Sequence, residues 1–198
     1  MPDFFDVVRS QRGGRYYKPD DISQADIEKI LQATVRAPSG SNRQGWRFIV
    51  VRDRNVKRQL NDVYLEAQRR SRGLDSPPTA PPDEPLSFAF DMENIPVLMV
   101  VCMEKQTSGQ RDNLHGASIY PAVQNLLLAA AALGINTRLT TIWHFADAEF
   151  AEVLGIPDEY EAMAMMPMGY PRDPDHLGGS IRKPISEVTF YDKWGQGK

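Results

Sequence analysis

The segment Ala37-Pro-Ser-Gly-Ser-Asn-Arg-Gln-Gly-Trp-Arg-Phe48 joins a predicted helix to a predicted strand. The helix covers residues 23–36: it opens with an S-x-x-D capping box, continues with apolar residues at helical spacing, and ends at Pro38. Residues 46–52 are aromatic and β-branched, which predicts a strand. The residues between are small, hydroxylated or amide-bearing. The segment is therefore either a capped turn that closes the helix or a surface of hydrogen-bonding groups for a ligand.

Outward from this segment, helix and strand patterns alternate without a repeat or a linker, so one domain is predicted over residues 1–198. Residues 117–133 are apolar on nearly every side, which is typical of a helix in a core or an interface. Pro121 is awkward within a helix, so the regular helix is predicted to begin near it, and Gly134 to cap its end. The other predicted elements are helices over residues 3–10, 55–72 and 147–154, and strands over residues 95–103, 136–142, 162–169 and 187–191.

The charge balance and the apolar runs argue against two kinds of partner. The chain has 23 Lys and Arg residues against 26 Asp and Glu residues, without the basic excess of nucleic-acid-binding proteins. Its dense basic run, Arg69, Arg70 and Arg72, is predicted to lie on a solvated helix face. The N-terminus has no apolar signal region, and the longest apolar run is too short to span a bilayer. We therefore expect a cytoplasmic protein that binds neither nucleic acid nor a membrane.

The cysteine and histidine content predicts no metal site. Cys102 is the single cysteine, and its apolar surroundings in sequence predict a buried, inert thiol. The three histidines lie far apart, and neither HExxH nor CxxC occurs.

Several nucleotide-binding motifs are absent, which leaves separated arginines as candidate phosphate ligands. No G-x-G-x-x-G follows a strand, and Trp46-Arg47 stands where a P-loop requires Lys followed by Ser or Thr. Arg12 and Arg15 flank Gly13-Gly14, and Arg182 lies near the C-terminus. Guanidinium groups hold phosphate oxygens by paired, charge-assisted bonds, as the phosphate of flavin mononucleotide (FMN) would require. The plain alternative is that these arginines are surface residues.

Taken in order, the motifs resemble those of the nitroreductase family over almost the whole chain. Residues 12–20 resemble the family's R-x-x-R-x-[YF] phosphate element, and residues 37–48 resemble its "APS-x-x-N-x-Q-P-W-x-F" loop, its most specific motif. Residues 124–134 are similar to its long core helix. The remaining matches are Leu139-Thr-Thr141, Leu154-Gly-Ile-Pro157, Met168-Gly-Tyr-Pro171 and Arg182-Lys-Pro184.

The resemblance implies an α+β fold with a mostly antiparallel central sheet flanked by helices, and an intertwined homodimer with FMN at the interface. Residues 171–198 would be a C-terminal extension that packs on the partner subunit. Gly13 departs from the serine that many relatives carry, and Gly45 departs from their proline. The implied cofactor-binding residues are Arg12, Gly13, Arg15 and Arg182 at the phosphate, Pro38, Ser39, Gly40, Asn42 and Gln44 from the partner chain, and Leu139, Thr140 and Thr141 near the ring.

The resemblance also implies a reaction in which flavin carries the redox chemistry and no side chain acts as a catalytic nucleophile. NADH or NADPH would donate hydride, leave, and be replaced by a nitroaromatic or quinone, which is ping-pong kinetics. Relatives of this fold that reduce enones, dehalogenate aromatics or consume flavin remain alternatives, as does an FMN-binding module without turnover. The acceptor would be selected by the shape of the pocket, to which residues 73–90 contribute. His144, Arg43 and Arg47 either line this pocket or are surface or packed residues.

Overall fold

The computed structural model describes residues 2–81, 87–105, 112–172 and 181–196. The described chain is an α+β structure built on one four-stranded sheet in the order β1-β2-β4-β3. Its strands are β1 (Trp46–Val51), β2 (Val97–Glu104), β3 (Asn136–Thr137) and β4 (Tyr160–Gly169). Its helices are α1 (Phe4–Ser10), α2 (Gln24–Thr34), α3 (Arg54–Arg72), α4 (Asp112–Ala132), α5 (Asp147–Leu154) and α6 (Ile185–Val188).

The sheet is antiparallel throughout, which confirms the predicted fold class. Strand β2 lies at its centre and pairs with β1 on one side, where Ile49 faces Val100, and with β4 on the other, where Met99 faces Met166. A register shift interrupts the β2–β4 ladder between Val101 and Cys102. Because both faces of β2 are covered, its side chains are apolar without alternation and all but Glu104 are buried.

The two faces of the sheet support two cores. Val97, Met99 and Val101 point to one side, where α2 and α4 cover them. Their neighbours Leu98 and Val100 point to the other side, against α3, α5 and the 3₁₀ turns Met92–Asn94 and Ile142–Ala146. The period of two along the strand therefore sorts each residue into one core. Cys102 belongs to the second core, which confirms its predicted burial, and that burial raises the pKa of its thiol to about 11.

Helix α4 begins earlier than predicted. It starts at Asp112 and contains Pro121 in its interior, so the expectation that the regular helix begins near Pro121 is wrong. The buried side chains of Ile119 and Ala122 on either side of the proline pack into the first core and hold the helix across it. The predicted end is confirmed: Gly134 has φ of 74°, and the Ile135 amide donates to the Ala130 carbonyl at 2.9 Å. None of the described helices is long and apolar enough to cross a membrane.

Two predicted strands differ in the structure. Residues 136–142 form a strand only over Asn136–Thr137, with one further bridge from Thr140 to Met165, because the chain then turns into the 3₁₀ segment that starts at Ile142. The β-branched run at residues 187–191 is not a strand: Ile185–Val188 is a short helix that follows Pro184. Its β propensity was misleading because a strand also needs a neighbouring edge to pair with.

Candidate functional site

The glycine pair near the N-terminus is bonded to the edge of the sheet. Gly13 forms a parallel bridge with Thr137, and the Gly14 amide donates to the Thr137 carbonyl at 3.0 Å. A Cβ at Gly14 would lie 2.6 Å from Asn136 Nδ2, so this close approach requires glycine. The pairing places Arg12 and Arg15 beside the chain that leads from Thr137 to Thr141. Two groups that are distant in sequence are thereby brought to one surface.

The segment Leu139-Thr140-Thr141 presents alternate side chains to solvent. Leu139 and Thr141 are exposed, whereas Thr140 is buried. The Thr140 amide and carbonyl pair with Met165 at 2.9 and 3.1 Å, which holds the segment on β4. Of the two threonines predicted to approach a ring, Thr141 therefore has the side chain directed outward.

Tyr64 of α3 holds Thr140 from the interior. Its hydroxyl lies 3.0 Å from Thr140 Oγ1, and the Trp143 indole N–H donates to the Thr140 carbonyl at 3.2 Å. Burial raises the pKa of Tyr64, so its hydroxyl stays protonated at neutral pH. Sequence reasoning assigned no role to Tyr64, since nothing local in the sequence links residues 76 positions apart.

Arg138 is a second residue that sequence reasoning missed. Its guanidinium carbon lies 5.8 Å from the centre of the Phe88 ring, a cation–π contact. Phe88 in turn packs edge-on against Tyr64, with ring centres 5.8 Å apart, and its amide donates to the Arg15 carbonyl at 2.9 Å. Arg15, Phe88, Tyr64 and Arg138 thus form one contiguous group around the glycine pair. We call this group, with Arg12 and Gly13, the arginine cluster.

The loop within residues 37–48 holds its polar groups in a fixed arrangement. Ser41, Asn42 and Gln44 have φ between 52° and 55°, a left-handed conformation that is uncommon for residues other than glycine. Ser39 Oγ accepts from the Gln44 amide at 3.2 Å, and Gln44 Nε2 donates to Asn42 Oδ1 at 3.1 Å. The loop is largely exposed, and its backbone strain is typical of functional loops.

Within one chain, the loop and the arginine cluster lie far apart. The Gly40 amide donates to Ser118 Oγ on α4, whereas Arg12 shares a cavity with Ala131 and Gly134 at the other end of the same helix. Thirteen residues of helix separate Ser118 from Ala131, which corresponds to about 20 Å. The structure therefore brings together Arg12, Gly13 and Arg15 with Leu139, Thr140 and Thr141, but not with Pro38, Ser39, Gly40, Asn42 and Gln44.

Arg182 lies in the C-terminal segment formed by residues 181–196, nearly all of which are exposed. Its guanidinium donates only to the neighbouring Ile181 carbonyl, at 3.2 Å, among the described residues. Large apolar side chains of this segment are exposed: Ile181, Ile185, Val188 and Trp194 have exposed fractions of 101%, 77%, 60% and 90%. The structure of one chain does not bring Arg182 to Arg12.

The remaining candidates have local partners. His144 is exposed, with Nδ1 2.6 Å from the Thr141 carbonyl. The Arg47 guanidinium stacks over the Tyr160 ring at 5.2 Å. Arg69 and Arg70 both bind Glu66, which confirms the interpretation of the basic run as a charged helix face. The part of the chain that the structure describes contains no group of three or more His, Cys, Asp or Glu residues that could hold a metal ion.

The chain matches known proteins over nearly its full length. A family model described as "Nitroreductase family" matches residues 8–170. An Archaeoglobus fulgidus protein with the provisional name NADH dehydrogenase/NAD(P)H nitroreductase is 29% identical over 196 residues, covering 98% of this chain and 100% of that protein. The match to the family model covers most of the chain and so shows the family.

Solved structures show the same fold. A BluB-like flavoprotein from Clostridium difficile superposes with a TM-score of 0.77 at 24% identity, covering 98% of this chain and 100% of that one. An oxidized iodotyrosine deiodinase bound to FMN and 3-iodo-L-tyrosine superposes with a TM-score of 0.74 at 23% identity, covering 96% and 99% of the two chains. From its fold and its family match, this chain belongs to the nitroreductase family and is a flavin-dependent oxidoreductase.

Proposed function

We propose that this protein is a homodimeric FMN enzyme that takes hydride from NADH or NADPH and reduces a small electron-poor acceptor, a nitroaromatic or a quinone. The observation that carries the proposal is the arginine cluster. It places Arg12 and Arg15 on a glycine turn bonded to the sheet edge, beside the outward-facing Leu139 and Thr141. A phosphate and a flat ring joined by a short chain would fit these two neighbouring surfaces.

The donor groups of these surfaces suit FMN. Guanidinium groups bind a dianionic phosphate by paired, charge-assisted bonds. The exposed backbone of Gly13 allows an anion to approach the turn closely. The amide and hydroxyl groups of Ser39, Asn42 and Gln44 can donate to and accept from the polar edge of the flavin ring. The proposed cofactor-binding residues are Arg12, Gly13, Arg15, Pro38, Ser39, Gly40, Asn42, Gln44, Leu139, Thr140, Thr141 and Arg182.

The protein's contribution to the reaction is binding and orientation, while bound FMN supplies the hydride-transfer chemistry. Arg12 and Arg15 would fix the phosphate end, and Arg182 would add a third cation from the C-terminal segment. Leu139 and Thr141 would form the floor under the ring. The chain has no Rossmann motif for the dinucleotide, so NAD(P)H would bind weakly and leave before the acceptor occupies the same open face. Ping-pong kinetics are the expected consequence.

A second copy of this chain is the proposed partner, because one chain carries the two halves of the site at opposite ends of α4. The loop of one subunit would meet the arginine cluster of the other. The apolar side chains of Ile181, Ile185 and Trp194 are exposed in the described part of the chain, and a partner subunit would cover them. Residues 181–196 would lie on the partner and bring Arg182 to the partner's phosphate.

The deciding experiment is an anaerobic titration of the purified holoprotein with NADH and with NADPH. We expect the visible absorbance of the oxidised flavin to bleach with one of the two and to recover when nitrofurazone is added. Dithionite serves as the control because it reduces any accessible flavin. Bleaching with dithionite alone would favour the FMN-binding module, and a protein that binds no flavin would overturn the proposal.

A further inference from the structure

Arg138 carries a charge for which the described chain supplies no counter-ion. Its side chain is half-buried, yet it makes no hydrogen bond or ion pair with any described residue. Its neighbours include the ring of Phe88 and the glycine turn. A half-buried guanidinium retains its charge at every physiological pH, so an unpaired one is unfavourable unless an anion binds beside it.

Because Gly13 has no side chain, the Arg138 side chain can lie directly beside the turn. A Cβ at Gly13 would lie 3.3 Å from Arg138 Cγ and 3.7 Å from its Nη1. A larger side chain at position 13 would therefore compete with Arg138 for the same place. Gly13 itself is exposed, so an anion that reaches its backbone also reaches the guanidinium beside it.

Aromatic packing fixes the direction of this side chain. Phe88 stacks on the guanidinium from one side, and its amide bond to the Arg15 carbonyl ties the ring to the same turn. An arginine held by a ring face keeps its N–H edge free for bidentate bonds to phosphate. Arg138 is thus held beside Gly13, the residue that Arg12 and Arg15 flank in sequence.

We infer that Arg138 is a further phosphate-binding arginine, in addition to Arg12, Arg15 and Arg182. It takes the place of the phosphate contact that a hydroxyl-bearing side chain at position 13 would make. This inference rests on the proposed function, since the anion in question is the phosphate of FMN. It predicts that Arg138 discriminates FMN from riboflavin, which has the same ring and ribityl chain but no phosphate. A purely structural role through Phe88 would not distinguish the two flavins.

The test measures dissociation constants of flavin-free protein for FMN and for riboflavin by quenching of flavin fluorescence. Arg138→Met keeps the length of the side chain and removes the charge, and Arg138→Lys restores the charge without the planar fork. We expect Arg138→Met to weaken FMN binding by about tenfold or more, as loss of a charge-assisted bond does, and to leave riboflavin binding within about twofold. Arg138→Lys should recover part of the loss.

A matched control is Arg58→Met, which removes an exposed arginine of α3 that binds Glu93, outside the cluster and the loop. The ratio of the FMN to the riboflavin dissociation constant should stay at the wild-type value in this control. Equal losses for both flavins in Arg138→Met, or no loss at all, would overturn the inference while leaving the proposed function intact. Failure of the wild-type chain to bind either flavin would instead overturn the proposed function.

Discussion

The adjacent glycines Gly13 and Gly14 of the N-terminal turn differ in how much room they leave for a side chain. Gly14 is buried against Asn136, whose Oδ1 accepts from the Thr137 amide at 2.8 Å and so cannot move aside freely. Gly13 is exposed, and the neighbour that a Cβ there would meet is a long, flexible arginine side chain. The packing of the folded chain therefore requires glycine strictly at position 14 but not at position 13.

Gly14→Ala should destabilise the protein by about 1–3 kcal/mol, the usual effect of overpacking a close contact. Gly13→Ala is the matched control, and its free energy of unfolding should stay within about 0.5 kcal/mol of the wild type. Urea denaturation followed by circular dichroism measures both. Equal destabilisation by the two substitutions would contradict the difference in packing.

The double substitution Arg12→Ala and Arg15→Ala should release FMN from the protein. Each charge-assisted bond to phosphate contributes about 1.5–3 kcal/mol, so loss of both corresponds to at least about a hundredfold in affinity. The control is Arg54→Ala with Arg58→Ala. It removes two exposed arginines of α3 that bind Glu93, away from the cluster. The flavin content of the dialysed proteins is the readout. Retention of FMN by the first variant would remove the phosphate assignment.

At the scale of elements, local signals predicted most of the helices, and contacts between elements decided the rest. The capping box at Ser23 and the glycine at the end of α5 act within a few residues, so the limits of α2 and α5 could be predicted from sequence. The length of β3 depends on Trp143 and Met165, which the sequence does not place beside it. Tyr64 and Arg138 were missed for the same reason, since their partners lie on other elements.

The bond between Tyr64 on α3 and Thr140 beside β3 is predicted to stabilise the site segment. Tyr64→Phe and Thr140→Val should each lower the free energy of unfolding by about 1 kcal/mol. In a double-mutant cycle the combined loss should be smaller than the sum, because one bond is removed in both. Additive losses would show that the two hydroxyls do not interact.

The salt bridges of Glu66 with Arg69 and Arg70 within α3 should make stability depend on pH in acid. Arg69 and Arg70 lower the pKa of Glu66 from 4.5 to about 2. Since the folded pKa lies below the unfolded one, this stabilisation is complete above about pH 4.5 and is lost as the pH falls towards 2. The destabilisation caused by Glu66→Gln should therefore be larger at pH 7 than at pH 3. Glu28→Gln, on the exposed face of α2, is the control; a difference that does not change with pH would contradict this linkage.

At the scale of the whole molecule, the proposed function needs two chains for one complete site, because the two proposed half-sites lie apart along α4. A single chain carries an arginine cluster at one end of the helix and the amide loop about 20 Å away. In a two-fold symmetric dimer, the end of one subunit can meet the opposite end of the other, so two equivalent composite sites form. The exposed apolar side chains at residues 181–196 supply contact surface for the same arrangement.

Mixing two defective variants tests this composite site directly. One variant carries Arg12→Ala and Arg15→Ala, and the other carries Asn42→Ala and Gln44→Ala in the loop. If each site combines the cluster of one chain with the loop of the other, a heterodimer has one intact site and one doubly defective site. Random reassociation after unfolding and refolding the mixture should then restore FMN binding to roughly a quarter of the sites. Each variant refolded alone is the control, and light scattering should report dimers in every sample. If the loop and the cluster of the same chain formed the site, every site would keep one defect and mixing would restore nothing.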